Sequence, residues 1–400
     1  MKKFLARSLL VLGALFATAC NVGGGSSVGA PTDVKVLVGD SGATVSWTMQ
    51  SGVEYWVFSA ATDNLTPSNW ATQPQAKVVR AAVSPQIISS LTNGTTYSLT
   101  VNGRTAGGPG GPGSPSISIV PRLAGASWAA GTPLGSNLKG LAYILLTSPG
   151  LFVTVGAGGS AFASSDAISW TAVTSGVTTD LNGVVYGGGK FVAVGTGGVI
   201  INSVDANTWA TVGGVTTNDL NAITLGNNGL VAVGANGFII QSNDGGNTWS
   251  AQGSGTTNNL YGVSFVNAQY VAVGANGTLL TSPDGNSWTL HPTSTTQDLK
   301  GVTFSLGGLY VAVGVAGTMI SSPDAVTWTT VPPVTTNSLN SITLGSLYTA
   351  VGDNGTILTS SDGVDWQIIS SGTTNNLNAV LFALIGYAVV GAGGVNLTSF

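Results

Sequence analysis

Through most of the chain, apolar residues come in short runs that alternate with polar ones and are broken by Gly, Asn, Asp and Ser. This is the pattern of half-buried strands in an antiparallel sheet. The stretch 260–292, LYGVSFVNAQYVAVGANGTLLTSPDGNSWTLHP, shows it most completely. It predicts four strands, at 260–265, 270–274, 278–282 and 287–291. Between the second and third, Gly274-Ala275-Asn276-Gly277 supplies a tight turn, because Asn-Gly readily takes positive φ.

The stretch recurs. Its opening leucine returns as Leu138, Leu181, Leu220, Leu260, Leu299, Leu339 and Leu377. The period is about 40 residues, in the range of propellers and solenoids. A VAVGxxG phrase and then Ser-x-Asp-[Gly/Ala]-x-[Ser/Thr]-Trp follow in order. A four-stranded antiparallel sheet repeated at this period is the blade of a β-propeller. Residue size agrees, since the first two strands carry Ala, Gly and Val and the fourth carries Trp. Inner strands crowd near an axis and outer ones have room, whereas a solenoid of equal rungs shows no such gradient.

The third phrase centres on Asp166, Asp205, Asp244, Asp284, Asp324 and Asp362 and ends in Trp170, Trp209, Trp249, Trp288, Trp328 and Trp366. It resembles the Asp-box, or BNR repeat, of sialidase-like and photosystem II assembly-factor-like propellers. The copy 242–249 matches the full Ser-x-Asp-x-Gly-x-Thr-Trp form, and the others are one residue shorter. The expected role is structural: the aspartate accepts turn N–H groups and the tryptophan fills the space between blades.

Residues 1–19 read as a signal peptide: Lys2, Lys3 and Arg7, an apolar run at 9–16, and the small residues Ala17-Thr18-Ala19. Cys20, the only cysteine, follows at once. This resembles a bacterial lipoprotein signal, whose cysteine is lipidated and becomes the new N-terminus, although Ala17 stands where that family usually has leucine. Ordinary cleavage after Ala19, leaving a free thiol, is the alternative. Asn21 resembles the outer-membrane default. The implied location is an outer-membrane or cell-surface lipoprotein, with a periplasmic or secreted protein as the alternative.

Residues 20–30 form the lipidated cysteine and a Gly/Ser tether. Residues 31–122 lack the repeat and predict strands at 34–38, 43–48, 55–58 and 114–120. Trp47, and Leu91 with Tyr97, make this stretch resemble a fibronectin type III domain with its core tryptophan and tyrosine corner. The segment 60–82 fits that pattern poorly. Residues 123–400 hold the repeats. The last repeat stops at Ser399-Phe400 without a fourth strand, and Ser127-Trp128-Ala129-Ala130 resembles the missing piece. Pairing the two chain ends leaves no open sheet edge. The expected fold is all-β: a fibronectin type III-like sandwich followed by a seven-bladed β-propeller closed by an N-terminal outer strand.

Composition narrows the function. Of 400 residues 59 are glycine and only 6% are charged, with a net charge of −4, so nucleic acid and anionic membrane surfaces lack the basic clusters they need. The only membrane contact expected is the lipid anchor. A single cysteine allows no disulfide and no thiolate metal cluster, and no cofactor or metal is expected. Sialidases hold their substrate with three arginines. Here Arg7, Arg80, Arg104 and Arg122 all precede the repeats, and the only glutamate is Glu54, so that activity is excluded. His291, the only histidine, falls on an outer strand rather than in a cleft. Asp180, Asp219 and Asp298, just before blade leucines, suit turn-capping better than a calcium ring.

One position varies informatively. The residue after each leucine is Lys139, Asn182, Asn221, Tyr261, Lys300, Asn340 or Asn378. Polar groups on a crowded inner strand either hydrogen-bond one another around the channel mouth or face a ligand. The expected function is non-enzymatic: a monomeric binding or scaffold protein that recognises an envelope or extracellular protein or glycan. The alternatives are an extracellular polysaccharide-acting enzyme with an unrecognised aspartate pair, and a purely structural surface protein.

Overall fold

A computed structural model describes residues 26–145, 150–383 and 386–400. The signal segment and Cys20 lie outside the described residues. Those residues form two compact units, 26–37 with 44–121, and 38–43 with 122–400.

Residues 35–119 form two sheets, the larger one antiparallel. One contains Lys35–Gly39, Gly42–Ser46 and Gln86–Ile88; the other runs in the order Lys77–Ala82, Val53–Ala60, Tyr97–Thr105, Ile117–Ile119. Trp47 is buried with its ring 5.5 Å from that of Tyr55. Tyr97 is fully buried, and its hydroxyl accepts the Thr92 N–H at 3.2 Å. The segment that matched no pattern contains the edge strand Lys77–Ala82 and packs Trp70 on Phe58, 5.6 Å between rings.

The second unit is a β-propeller: among the described residues it contains seven four-stranded antiparallel sheets. Their first strands are Leu138–Ile144, Leu181–Gly187, Leu220–Gly226, Leu260–Val266, Leu299–Phe304, Leu339–Leu344 and Leu377–Ala383. Each lies beside the next, and the last lies beside the first. The fourth sheet shows the meander: Val263 faces Ala272, Ala272 faces Leu280, and Leu280 faces Leu290.

Two strands of that sheet are shorter than the sequence predicts. The third starts at Leu279, because Thr278 closes the preceding turn with its N–H to the Ala275 carbonyl. The fourth starts at Thr289, because Ser287 gives its N–H to Asp284 and Trp288 gives its indole N–H to the Gly285 carbonyl.

The turn between the second and third strands is one tight turn in every repeat. Its central residue has positive φ and is Gly or Asn, except Ala316 at φ 56°. The following glycine has no room for a side chain: a Cβ on Gly277 would lie 2.1 Å from the Thr295 carbonyl oxygen.

The last sheet takes its outer strand from upstream. Ala129 and Ala130 pair with Thr398 and Leu397, and Trp128 packs on Tyr387 at 5.9 Å. Core residues sit between neighbouring sheets: Trp328 lies with Val271, Val273 and Leu279 of one and Tyr310 and Ile320 of the next.

Candidate functional site

In each repeat the pairing of the first strand with the second slips by one residue immediately after the leucine. Leu260 faces Gly274 and Gly262 faces Val273, so Tyr261 is the extra residue of a β-bulge. A bulge re-aims a side chain at the end of a strand. The residues so placed are Lys139, Asn182, Asn221, Tyr261, Lys300, Asn340 and Asn378, and all line one cavity of 460 Å³. Small residues at the next position, Gly140, Gly183, Ala222, Gly262, Gly301, Ser341 and Ala379, line it too. They are small of necessity at Gly262, where a Cβ would lie 2.3 Å from the Lys300 carbonyl oxygen.

The asparagines do not bond one another. Each gives its side-chain N–H to the backbone carbonyl of the leucine in the following repeat: Asn182 to Leu220 (2.9 Å), Asn221 to Leu260 (2.8 Å), Asn340 to Leu377 (3.1 Å) and Asn378 to Leu138 (2.7 Å). The bulge brings the amide closer to the neighbouring backbone than to the next side chain. Asn340 also reaches Asp353 at 2.9 Å.

The two lysines differ. Lys139 is held at 2.8 Å by Asp180 and at 2.9 Å by the Asn182 side-chain oxygen. Lys300 makes no hydrogen bond among the described residues and lies over the Tyr261 ring, 3.6 Å from its centre. Burial lowers the Lys300 pKa, while Asp298 and Asp353 oppose the shift. The belt is thus broken at the fourth and fifth repeats, where Tyr261 and Lys300 replace asparagine.

The residue before six of the seven leucines joins two repeats. The Asp180 carbonyl accepts the Thr196 N–H in its own repeat at 2.9 Å, and its carboxylate accepts the Gly158 N–H of the preceding turn at 2.8 Å. Asp219, Asn259, Asp298 and Asn376 cap Gly197, Asn236, Asn276 and Asn354 in the same way, and Asn137 caps Gly393 across the chain ends. These oxygens face N–H groups, which is turn-capping. Ser338 is too short to do this for the Ala316 turn.

The aspartates of the Ser-x-Asp phrases occupy the opposite end, where a Cβ on Gly188 would lie 2.4 Å from Gly245 Cα. Asp166, Asp205, Asp244, Asp284, Asp324 and Asp362 each accept a serine hydroxyl and two turn N–H groups. Asp205 is lowered to about 2, mainly by the N–H groups of Thr208 and Asn207, and Asp324 to about 2 by those of Thr327 and Val326. Asp244 goes lower still, chiefly through the Thr248 hydroxyl. Carboxylates held this strongly as anions are poor proton donors.

His291 is on the outer strand, 2.7 Å from the Thr281 hydroxyl, with its pKa lowered by burial. Arg80 and Arg104 flank Trp56 in the first unit, and Arg122 gives its Nε–H to the Phe400 carbonyl at 3.0 Å.

Sequence reasoning missed a second set of ties. Tyr270, Tyr348 and Tyr387, each nearly or fully buried at the start of a second strand, give their hydroxyls to Gly229, Leu309 and Leu347 carbonyls of the preceding repeat. Tyr310, at the same position, accepts from Asn267 and Gln269 at 2.9 and 2.7 Å. The recurrent tyrosine before the Val-Ala-Val-like run was the available signal.

No family model matches the chain, and no curated protein matches it. Solved structures do. "YCF48 bound to D1 peptide" aligns at TM-score 0.57 and 18% identity over 68% of this chain and 94% of that one. "YCF48 from Cyanidioschyzon merolae" aligns at 0.56 and 19%, over 68% and 98%. The WD40 β-propeller domain of Doa1 aligns at 0.54 and 11%, over 68% and 97%. At these identities the likeness establishes the class, a β-propeller, and nothing finer.

Proposed function

We propose that the chain is an exported, non-enzymatic binding protein of the cell envelope, anchored through Cys20, whose seven-bladed Asp-box propeller recognises a protein or glycan at the bulge ring. The fibronectin type III-like unit serves as a spacer from the membrane. The observation that carries the reading is convergence: seven bulge side chains line one cavity, and two of them, Tyr261 and Lys300, are not used to brace the ring. The carboxylates nearby accept turn N–H groups or Lys139, which suits a rigid scaffold better than proton transfer. That a structurally similar propeller is solved with a bound peptide supports a role in holding a partner.

The test is an envelope pull-down and a glycan array with the chain from residue 21 onward, each run beside a Tyr261→Ala/Lys300→Ala variant. A partner retained by the parent and lost by the variant supports the ring. Equal retention of every partner sinks it and moves the search to the opposite face. Incorporation of labelled palmitate, abolished by Cys20→Ala, tests the anchor.

A further inference from the structure

The cavity offers a particular set of hydrogen-bonding groups. Asn221 and Asn378 each give one N–H to the next repeat, Asn340 gives to the next repeat and to Asp353, and the side-chain oxygens of all three accept nothing among the described residues. The Tyr261 hydroxyl and the Lys300 ammonium likewise make no hydrogen bond among the described residues. Acceptors on the third, sixth and seventh repeats therefore flank donors on the fourth and fifth. Lys139 belongs to the frame, since Asp180 and Asn182 hold it.

The charge around Lys300 decides which ligand fits. Asp353 is bonded to the ring residue Asn340 at 2.9 Å and Asp298 stands two residues before Lys300, so two carboxylates share this end of the ring with its ammonium, and both act on its proton affinity. An anion brought there gains from Lys300 and loses to both aspartates. A neutral group that accepts from the ammonium suffers no such repulsion, and a hydrogen bond to a charged donor is the stronger kind.

We propose that the cavity binds one or two units of an uncharged polysaccharide, with sugar hydroxyls accepting from Lys300 and donating to the asparagine oxygens. The proposal rests on the reading of the bulge ring as the binding surface and narrows it to one ligand class. Each sugar hydroxyl both donates and accepts, which matches a ring where acceptors flank donors at close quarters. An extended peptide instead presents its groups along two edges at about 3.3 Å per residue. The 460 Å³ volume lies in the range of small-ligand sites, roughly 300–1,000 Å³. Tyr261 adds an aromatic surface with a polar tip.

The experiment is titration calorimetry of the intact chain with cello-, laminari-, malto- and xylohexaose, with trigalacturonate, and with an acidic hexapeptide, each at low and high salt. At least one neutral hexaose is expected to bind with little salt dependence. Lys300→Ala and Tyr261→Ala should each weaken it about tenfold or more, and Lys139→Met by less than about threefold. Melting temperatures establish that the variants fold, and Tyr261→Phe, which removes only the hydroxyl, stands in if the alanine variant does not. Binding of trigalacturonate or the peptide alone, lost with Lys300, overturns the neutral-sugar assignment and leaves the ring as the binding surface. Binding of any probe that neither Lys300 nor Tyr261 affects overturns both. No binding by any hexaose overturns the sugar assignment.

Discussion

The side-chain amide of Asn378 donates to the backbone carbonyl of Leu138, 240 residues earlier in the chain, at 2.7 Å. It is the same bond that Asn221 makes to Leu260 within the chain. The seam between the ends is closed further by Gly393 N–H to Asn137, Asn396 to the Thr132 carbonyl, and Gly125 N–H to the Ser399 hydroxyl. Removing residues 125–133 should therefore expose the strand Asn396–Ser399 and cause aggregation. Size-exclusion chromatography checks this, and a stable monomer lacking those residues contradicts it. Asn378→Ala alone should cost about 1 kcal/mol, as should Asn221→Ala, measured by thermal unfolding.

The turn at Ala316 is the weak one. Ala316 has φ 56°, where a Cβ is disfavoured, and Ser338 cannot reach it as Asn376 reaches Asn354 at 3.0 Å. Ala316→Gly should stabilise by about 1 kcal/mol. Ser338→Asn should add a comparable amount by supplying the missing cap. A rise of roughly 2–4 °C in melting temperature per change is the expected reading, and no rise in the double variant refutes the assignment.

Tyr387 is fully buried, with its hydroxyl donating to the Leu347 carbonyl at 2.5 Å and accepting the Leu347 N–H at 2.9 Å. Tyr387→Phe leaves the Leu347 N–H without a partner, while the Leu347 carbonyl keeps the Gly345 N–H at 3.1 Å, and should cost about 1–3 kcal/mol. Phe191 already occupies the equivalent site of the second repeat, so the ring itself will fit. A cost near zero in chemical denaturation means the hydroxyl is not an inter-repeat tie.

Acid should loosen the propeller through its Ser-x-Asp turns. Asp205 and Asp324 fall from 3.8 to about 2 on folding, and Asp284 and Asp362 are also lowered by turn N–H groups. A carboxyl with a depressed folded pKa stabilises above its unfolded value and loses that contribution as pH falls toward the folded one. Apart from a loss below about pH 6.5 that the lowered pKa of His291 brings, melting temperature should hold to about pH 4 and drop between about pH 4 and 2. Asp205→Asn with Asp324→Asn should flatten that drop; an unchanged profile shows the turns are not responsible.

Most of the strand pattern was legible because Leu, the Val-Ala-Val-like run and Trp each mark one layer of a sheet whose period shows within any single repeat. The ring at 139, 182, 221, 261, 300, 340 and 378 was legible as a position. Its bulge was not, since a slip of register depends on which residue faces Val273, and nothing about Tyr261 itself shows that. The difference between Lys139 and Lys300 was hidden for a related reason. Asp180 and Asp298 both stand before a leucine, but only Asp180 bonds to the lysine of the preceding repeat; Asp298 follows Tyr261, which carries no ammonium. The hydroxyl ties of Tyr270, Tyr348 and Tyr387 were not legible because their acceptors are backbone carbonyls, which have no signature in side chains.

The two-way ties made by the residue before six of the seven leucines have a bearing on how such a ring is inherited. Each one links a repeat only to its neighbour, and Asn137 with Gly393 makes across the chain ends the bond that Asp219 makes with Gly197 inside the chain. A duplicated gene segment one period long carries half of each seam with it and meets the complementary half on any neighbour that keeps Asp or Asn before its leucine. Where the reading frame opens the circle is then a matter of ancestry, and a gene rearranged to begin at another seam encodes the same set of bonds.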